Sequence, residues 1–343
     1  MANNRFDFLR LLFAACVAVY HLIALADLDP GRVWETRAAT LAELSIQGFF
    51  IISGALVFGS WQRSRDILEY GEKRLRRLYP GYAVAILVPA TVSAALTSDF
   101  AEIAGYIGAN LAFANFLVPT LPGLFEGQRF EAVNGALWTL KIEVMFYLSL
   151  VLLGPICARL AGRRGGLLIF FCAIYVASEL WRIGFENLAA LEGHIFYAQL
   201  ARQLPGQMAF FVCGIGLWVW KHKVQRHLPW IGGAGAVLCL ASVFWPWAEF
   251  FRPLGLAGLV AWMAWTRGPR LPVTRFGDLS YGIYIVHFPI IQALIGLSLF
   301  EAHPAIGVVA AIGLTLAASL ALWVFVERPA LAPSSLYRQT RGD

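Results

Sequence analysis

Crossing the hydrocarbon core of a bilayer takes a helix of about 20 mostly apolar residues. This chain supplies that length repeatedly, at residues 6–26, 41–61, 78–98, 136–158, 165–183, 204–220, 229–244, 249–266, 279–300 and 304–326. Lipid offers the backbone no hydrogen bonds, so each block must satisfy its own N–H and C=O groups, and a helix does so within one segment. The expectation is an all-α, polytopic membrane helix bundle of about ten transmembrane helices, forming a single domain over residues 1–343. Composition agrees, with 59% of the residues apolar and 14% charged, where soluble domains carry charge on about a quarter. A nucleic-acid binder, a disulfide-built secreted scaffold and a disordered tail are excluded. Cys16, Cys157, Cys172, Cys213 and Cys239 stand singly in apolar blocks, so neither disulfides nor a metal site are expected.

An eleventh apolar stretch, 102–118, is shorter and carries Glu102, Asn110 and Asn115. Charge placement decides its status, because basic residues collect in short cytoplasmic loops. With 102–118 not spanning and the N-terminus inside, one side receives Arg5, Arg10, Arg63, Arg65, Lys73, Arg74, Arg76, Arg77, Arg159, Arg163, Arg164, Lys221, Lys223, Arg226, Arg267, Arg270, Arg275, Arg328, Arg338 and Arg341. Arg32, Arg37, Arg129, Arg182, Arg202 and Arg252 remain outside, and Lys141 falls within a span. A spanning 102–118 would reverse every later loop. It is therefore read as a re-entrant or interfacial helix, with both termini cytoplasmic. Block 6–26 also fits a cleavable signal peptide ending at Ala24-Leu25-Ala26, but Asp7, Arg10 and His21 interrupt what should be a purely apolar run. It is read as a permanent first helix.

Ionisable residues inside spans are costly and mark functional candidates. Arg10, His21 and Glu143 are three of them. Arg10 and His21 are eleven residues apart, three helical turns plus about 20°, so they share one face with about 16 Å between them along the axis. That puts a cation near the cytoplasmic surface and a titratable ring deeper, in the outer half of the bilayer. An uncharged imidazole can take a proton from a hydroxyl, the task of a general base. A carboxylate such as Glu143 could steady that ring. Lys141 lies two residues before Glu143 and points elsewhere on a helix. Arg74 and Arg77, at i and i+3 in a dense basic run, present guanidinium forks suited to phosphate. Ordinary positive-inside charge, snorkelling of Arg10, and packing or salt-bridging of His21 and Glu143 are the plainer readings.

Six ordered motifs resemble the acyltransferase-3 family of integral-membrane O-acyltransferases. They are Phe6-Asp7-Phe8-Leu9-Arg10 with His21; Gly48-Phe49-Phe50-x-x-Ser53-Gly54; Arg74-x-x-Arg77-x-Tyr79-Pro80; Leu137-Trp138-Thr139-Leu140-x-x-Glu143-x-x-Phe146-Tyr147; Leu279-Ser280-Tyr281-Gly282-Ile283-Tyr284-x-x-His287; and Val326-Glu327-Arg328-Pro329. The resemblance covers nearly the whole chain and is to the stand-alone form, without an extracytoplasmic hydrolase-like domain. It implies transfer of an acyl group, commonly acetyl from cytoplasmic acetyl-CoA, to a carbohydrate or glycolipid hydroxyl, in the bacterial inner membrane and without a metal. It further implies His21, Glu143 and Arg10 as catalytic residues. Arg74, Arg77 and Ser53 fall to the donor; with His21 toward the outer face, Tyr281, Tyr284, His287 and Trp138 are candidates for the acceptor side, packing of aromatics at helical spacing being the plainer reading. Lys141 matches no family role. A transporter or lipid-linked glycan flippase is the alternative, since buried Arg, His and Glu also build proton relays. The inverted repeats and paired broken helices common in transporters are not evident.

Overall fold

The computed structural model describes residues 5–266, 277–332 and 335. Arg267, Arg270, Arg275, Arg338 and Arg341 of the expected cytoplasmic loops lie outside the described residues. The helices are α1 (Phe6–Leu25), α2 (Val33–Gln62), α3 (Ile67–Leu96), α4 (Phe100–Leu111), α5 (Trp138–Ala161), α6 (Gly166–Glu192), α7 (Ile195–Ala201), α8 (Leu204–Val219), α9 (Lys221–Arg226), α10 (Leu228–Phe244), α11 (Arg252–Trp265), α12 (Leu279–Gly296), α13 (Leu299–Ala302) and α14 (Pro304–Leu322). Helix α14 runs on through a π-helical turn, Trp323–Glu327.

Seven helices among the described residues are long and apolar enough to cross a membrane: α1, α2, α3, α5, α6, α12 and α14 with its continuation. Three more apolar helices, α8, α10 and α11, have 16, 17 and 14 residues. Helix α4, within the stretch read as re-entrant or interfacial, has 12 residues. At 1.5 Å per residue that is about 18 Å, well short of a bilayer core. Several helices outrun their apolar blocks. Helix α2 begins at Val33 and α3 at Ile67, in polar turns that hydropathy leaves out, because a helix ends where its hydrogen bonding ends rather than where lipid would.

The chain divides into two compact units. One comprises Met1–Leu9, Ile46–Tyr70 and Ile142–Leu271. In it α2 and α8 approach backbone to backbone: a methyl group on Gly54 would lie 2.1 Å from the Phe211 carbonyl oxygen, and one on Gly214 would lie 2.0 Å from that of Ile51. Small residues at such a crossing are what membrane helices use for close packing. Phe146 stacks on Phe211 with centroids 4.2 Å apart and meets Phe50 edge to face at 5.1 Å. Arg182, which charge sorting counts on the outer side, is 1% exposed within α6, where it meets Glu179 at 2.6 Å and Glu186 at 3.0 Å.

The other unit comprises Arg10–Ser45, Gly71–Lys141 and Pro272–Asp343. Its core gathers Leu22 and Leu25 of α1, Phe288, Ile291 and Leu294 of α12, and Phe300 and Ala311. Helix α12 contains Pro289, which has no N–H to give the Ile285 carbonyl four residues back. Asn134, in the connection between α4 and α5, donates its Nδ2–H to that oxygen at 2.8 Å. Gln292 binds the carbonyls of Phe130 and Ala132 in the same connection, at 2.6 and 3.1 Å. The connection is thereby tied along α12.

Candidate active site

Helix α1 carries Arg10 and His21 on one face, and in the second unit both find partners at α12. Arg10 Nη1 donates to Asp278 Oδ2 at 2.6 Å, and His21 Nδ1 lies 2.8 Å from His287 Nε2. Both pairs advance in the same chain direction, eleven residues along α1 and nine along α12, so the helices run parallel there between two polar rungs. His287 is fully buried, and its Nδ1–H donates to the Ile283 carbonyl one turn back at 2.8 Å. The two imidazoles are stacked with centroids 5.0 Å apart. Tyr20 and Phe288 flank the His21 ring at 5.0 and 5.1 Å. His21 itself is partly exposed.

The first rung is an ionic cluster. Arg77 Nη2 also bonds Asp278 Oδ2, so one carboxylate holds two guanidinium groups. Asp278 caps α12, accepting from the Ser280 backbone N–H and, at 2.6 Å, from the Ser280 hydroxyl. Burial opposes ionisation of Asp278, but Arg10, Arg77 and Ser280 together outweigh it and hold the carboxyl well below the usual carboxylate range. Glu327, buried in the π-helical turn, comes within 3.8 Å of Arg77 Nη1. Side-chain exposures of 16% for Arg10 and 14% for Arg77 mean that neither guanidinium snorkels fully into solvent. Arg74 is partly buried.

Tyr281, buried on α12, donates its hydroxyl to the Leu78 carbonyl of α3 at 2.7 Å. Gly81 gives that ring room, since a methyl group there would lie 2.9 Å from Tyr281 Cε1. Tyr284 meets the Thr139 hydroxyl at 2.6 Å. Trp138 opens α5 and is partly buried. Lys141 sets its ammonium over the Phe116 ring, 4.6 Å from the centroid. In the first unit, Ser53 donates to Glu143 Oε1 at 2.7 Å, joining the Gly-Phe-Phe motif of α2 to the tryptophan motif of α5.

Asp278 and Glu327 are two buried carboxylates whose arginine partners motif spacing does not reveal. Asp278 precedes its motif by one residue, and its signal was that of a helix N-cap, an acidic residue two positions ahead of Ser280. Glu327 lies in the Val326-Glu327-Arg328-Pro329 motif, yet nothing in its spacing ties it to Arg77, 250 residues earlier.

Comparison with known proteins agrees with the motifs. The acyltransferase-3 profile, described as an acyltransferase domain, matches residues 3–324. The chain is 29% identical to "Nodulation protein 10" of Rhizobium leguminosarum bv. viciae, over 96% of this chain and 93% of that protein. It is 25% identical to "O-acetyl transferase" of Shigella phage Sf6, over 97% of each. It is 26% identical to "Putative membrane-bound transacylase BcsY" of Komagataeibacter xylinus, over 83% of this chain and 74% of that protein. No solved structure matches. With the profile spanning nearly all of an apolar, all-helical chain, and the family's arginine and histidine motifs meeting at α12, the protein belongs to the acyltransferase-3 family.

Proposed function

We propose that this protein is a multi-pass enzyme of the bacterial inner membrane that transfers an acyl group, acetyl in the first instance, from cytoplasmic acyl-CoA to a hydroxyl of a carbohydrate or glycolipid. The observation that carries the reading is the partly exposed His21, set on the first helix and held by a second histidine within a chain of this family. His21 removes the acceptor hydroxyl proton; the oxygen forms its bond to the thioester carbonyl carbon, the C–S bond breaks, and the thiolate takes up a proton. An acyl-His21 relay would give the same product through a covalent intermediate and ping-pong kinetics. Arg77 and Arg10, steadied by Asp278, together with Arg74, serve the phosphates of the donor, because fixed guanidinium forks bind such oxygens well. In this reading the three shorter apolar helices cross together with the seven long ones and both termini are cytoplasmic, a topology that would put Arg10 on the donor side and His21 toward the acceptor side. Relatives named as an O-acetyl transferase and a transacylase support the chemistry.

The test compares envelope glycans by mass spectrometry from cells with and without the gene, alongside label transfer from acetyl-CoA with purified protein. Loss of an acetyl-sized increment from one glycan is expected, and His21→Ala is expected to abolish transfer while the protein still accumulates folded. Wild-type acylation in His21→Ala would remove His21 from the mechanism. A purified protein that moves glycan across vesicles and never turns over thioester would favour the carrier alternative.

A further inference from the structure

The histidine pair of the second unit admits few proton arrangements. The Ile283 carbonyl can only accept, so the hydrogen of its 2.8 Å contact sits on His287 Nδ1. A neutral imidazole carries one N–H, which leaves a lone pair on His287 Nε2. In the 2.8 Å contact between that atom and His21 Nδ1, the hydrogen must then belong to His21. A neutral His21 is left with its own lone pair on Nε2, and that atom makes no hydrogen bond among the described residues. The reverse arrangement needs a doubly protonated His287. That ring is 0% exposed, and among the described residues its aromatic neighbours are His21, Tyr284 and Phe288 and no carboxylate is bonded to it. A buried cation so placed is strongly disfavoured.

We propose that His287 is a positioning residue that locks His21 in its Nδ1–H tautomer, with the Ile283 carbonyl as the fixed end of the chain, so that His21 Nε2 is the proton-accepting atom. The proposal rests on the acyl-transfer reading only for what Nε2 accepts. When Nε2 is protonated, the His21 Nδ1–H still points at a lone pair, so the new charge is met by a neutral ring and a carbonyl dipole. A carboxylate fills the corresponding place in serine hydrolases. Handing a proton on to His287 Nε2 would create the buried cation excluded above, so the charge stays on His21 until it leaves through Nε2.

Ring tautomers are read directly from nitrogen-15 chemical shifts in the full-length protein labelled at histidine. Six histidines are present, and His21 and His287 are assigned by substitution. In the wild type, His21 is expected to be protonated at Nδ1 and bare at Nε2. His287→Leu removes the acceptor: the Nε2–H form of His21 becomes populated and kcat falls about 10²-fold or more, with KM for the donor unchanged. His287→Gln presents a side-chain carbonyl to His21 Nδ1–H, and restores both the tautomer and most of kcat. An Nε2–H wild-type His21, or a His287→Leu variant with unaltered tautomer and kcat, overturns the proposal. So does a His287→Gln variant as slow as His287→Leu. Should His287→Leu fail to fold, the wild-type and His287→Gln spectra decide alone. Absence of any acyl transfer by the wild type would end the functional reading and leave the tautomer result standing.

Discussion

Arg10 and His21 were legible as a pair because helical geometry alone puts residues eleven apart on one face. Their partners were not. Asp278 and His287 lie more than 260 positions downstream, and sequence spacing says nothing about which distant helix will pack alongside. The i, i+3 spacing of Arg74 and Arg77 suits phosphate as well as plain positive-inside charge, whereas the bond from Arg77 to Asp278 is visible only in the fold. This rung has a pH signature. Asp278 is held below the ordinary carboxylate range, so its contribution to stability is fully present above about pH 4, the unfolded value, and is lost as pH falls toward the lower folded value. Asp278→Asn leaves two guanidinium groups sharing a neutral amide and should cost about 3–5 kcal/mol at pH 7. Thermal unfolding in detergent at pH 7 and pH 3 checks this: the gap in Tm between variant and wild type should narrow at the lower pH, and an equal gap at both would contradict it.

Helix existence was the most readable level, since each long apolar block did become a helix, but helix ends were not. Hydropathy marks where lipid would begin, and α2, α3 and α6 continue through charged turns that keep their backbone bonds. The Gly-Phe-Phe motif announced a close approach without naming the neighbour, which is α8 through Gly214. Gly54→Val should push α2 off α8, because its added Cβ would lie 2.1 Å from a carbonyl oxygen that has nowhere to go. Lower recovery of monodisperse protein in detergent than for Gly71→Val, where nothing lies within 4 Å of the added carbon, is the expected result. Pro289 of α12 likewise signalled an unbonded carbonyl four residues earlier, while its remedy, Asn134, sits 151 positions away at Ile285.

At the scale of the whole molecule, composition and block length gave an all-helical membrane protein directly. The expectation of ten crossings rests on block length, and that of two cytoplasmic termini on charge sorting. Single-cysteine accessibility in intact cells tests that assignment on a background without the five native cysteines. Probes replacing Arg163 and Lys223 should be shielded from impermeant maleimides and one replacing Arg37 should react, and the opposite pattern would invert the topology. The arrangement around Arg182 bears on how such a chain is made. Of its three acidic partners among the described residues, Glu179 and Glu186 sit at i−3 and i+4 on the same helix, so α6 carries these neutralising charges with it as it leaves the ribosome, while Glu249 joins from a later turn. A lone arginine at a helix centre costs the insertion machinery about 2.5–3.5 kcal/mol. Glu179→Gln should therefore raise the share of α6 that slips past the translocon in a glycosylation-mapping assay of the isolated segment, before any neighbouring helix exists to shelter the charge.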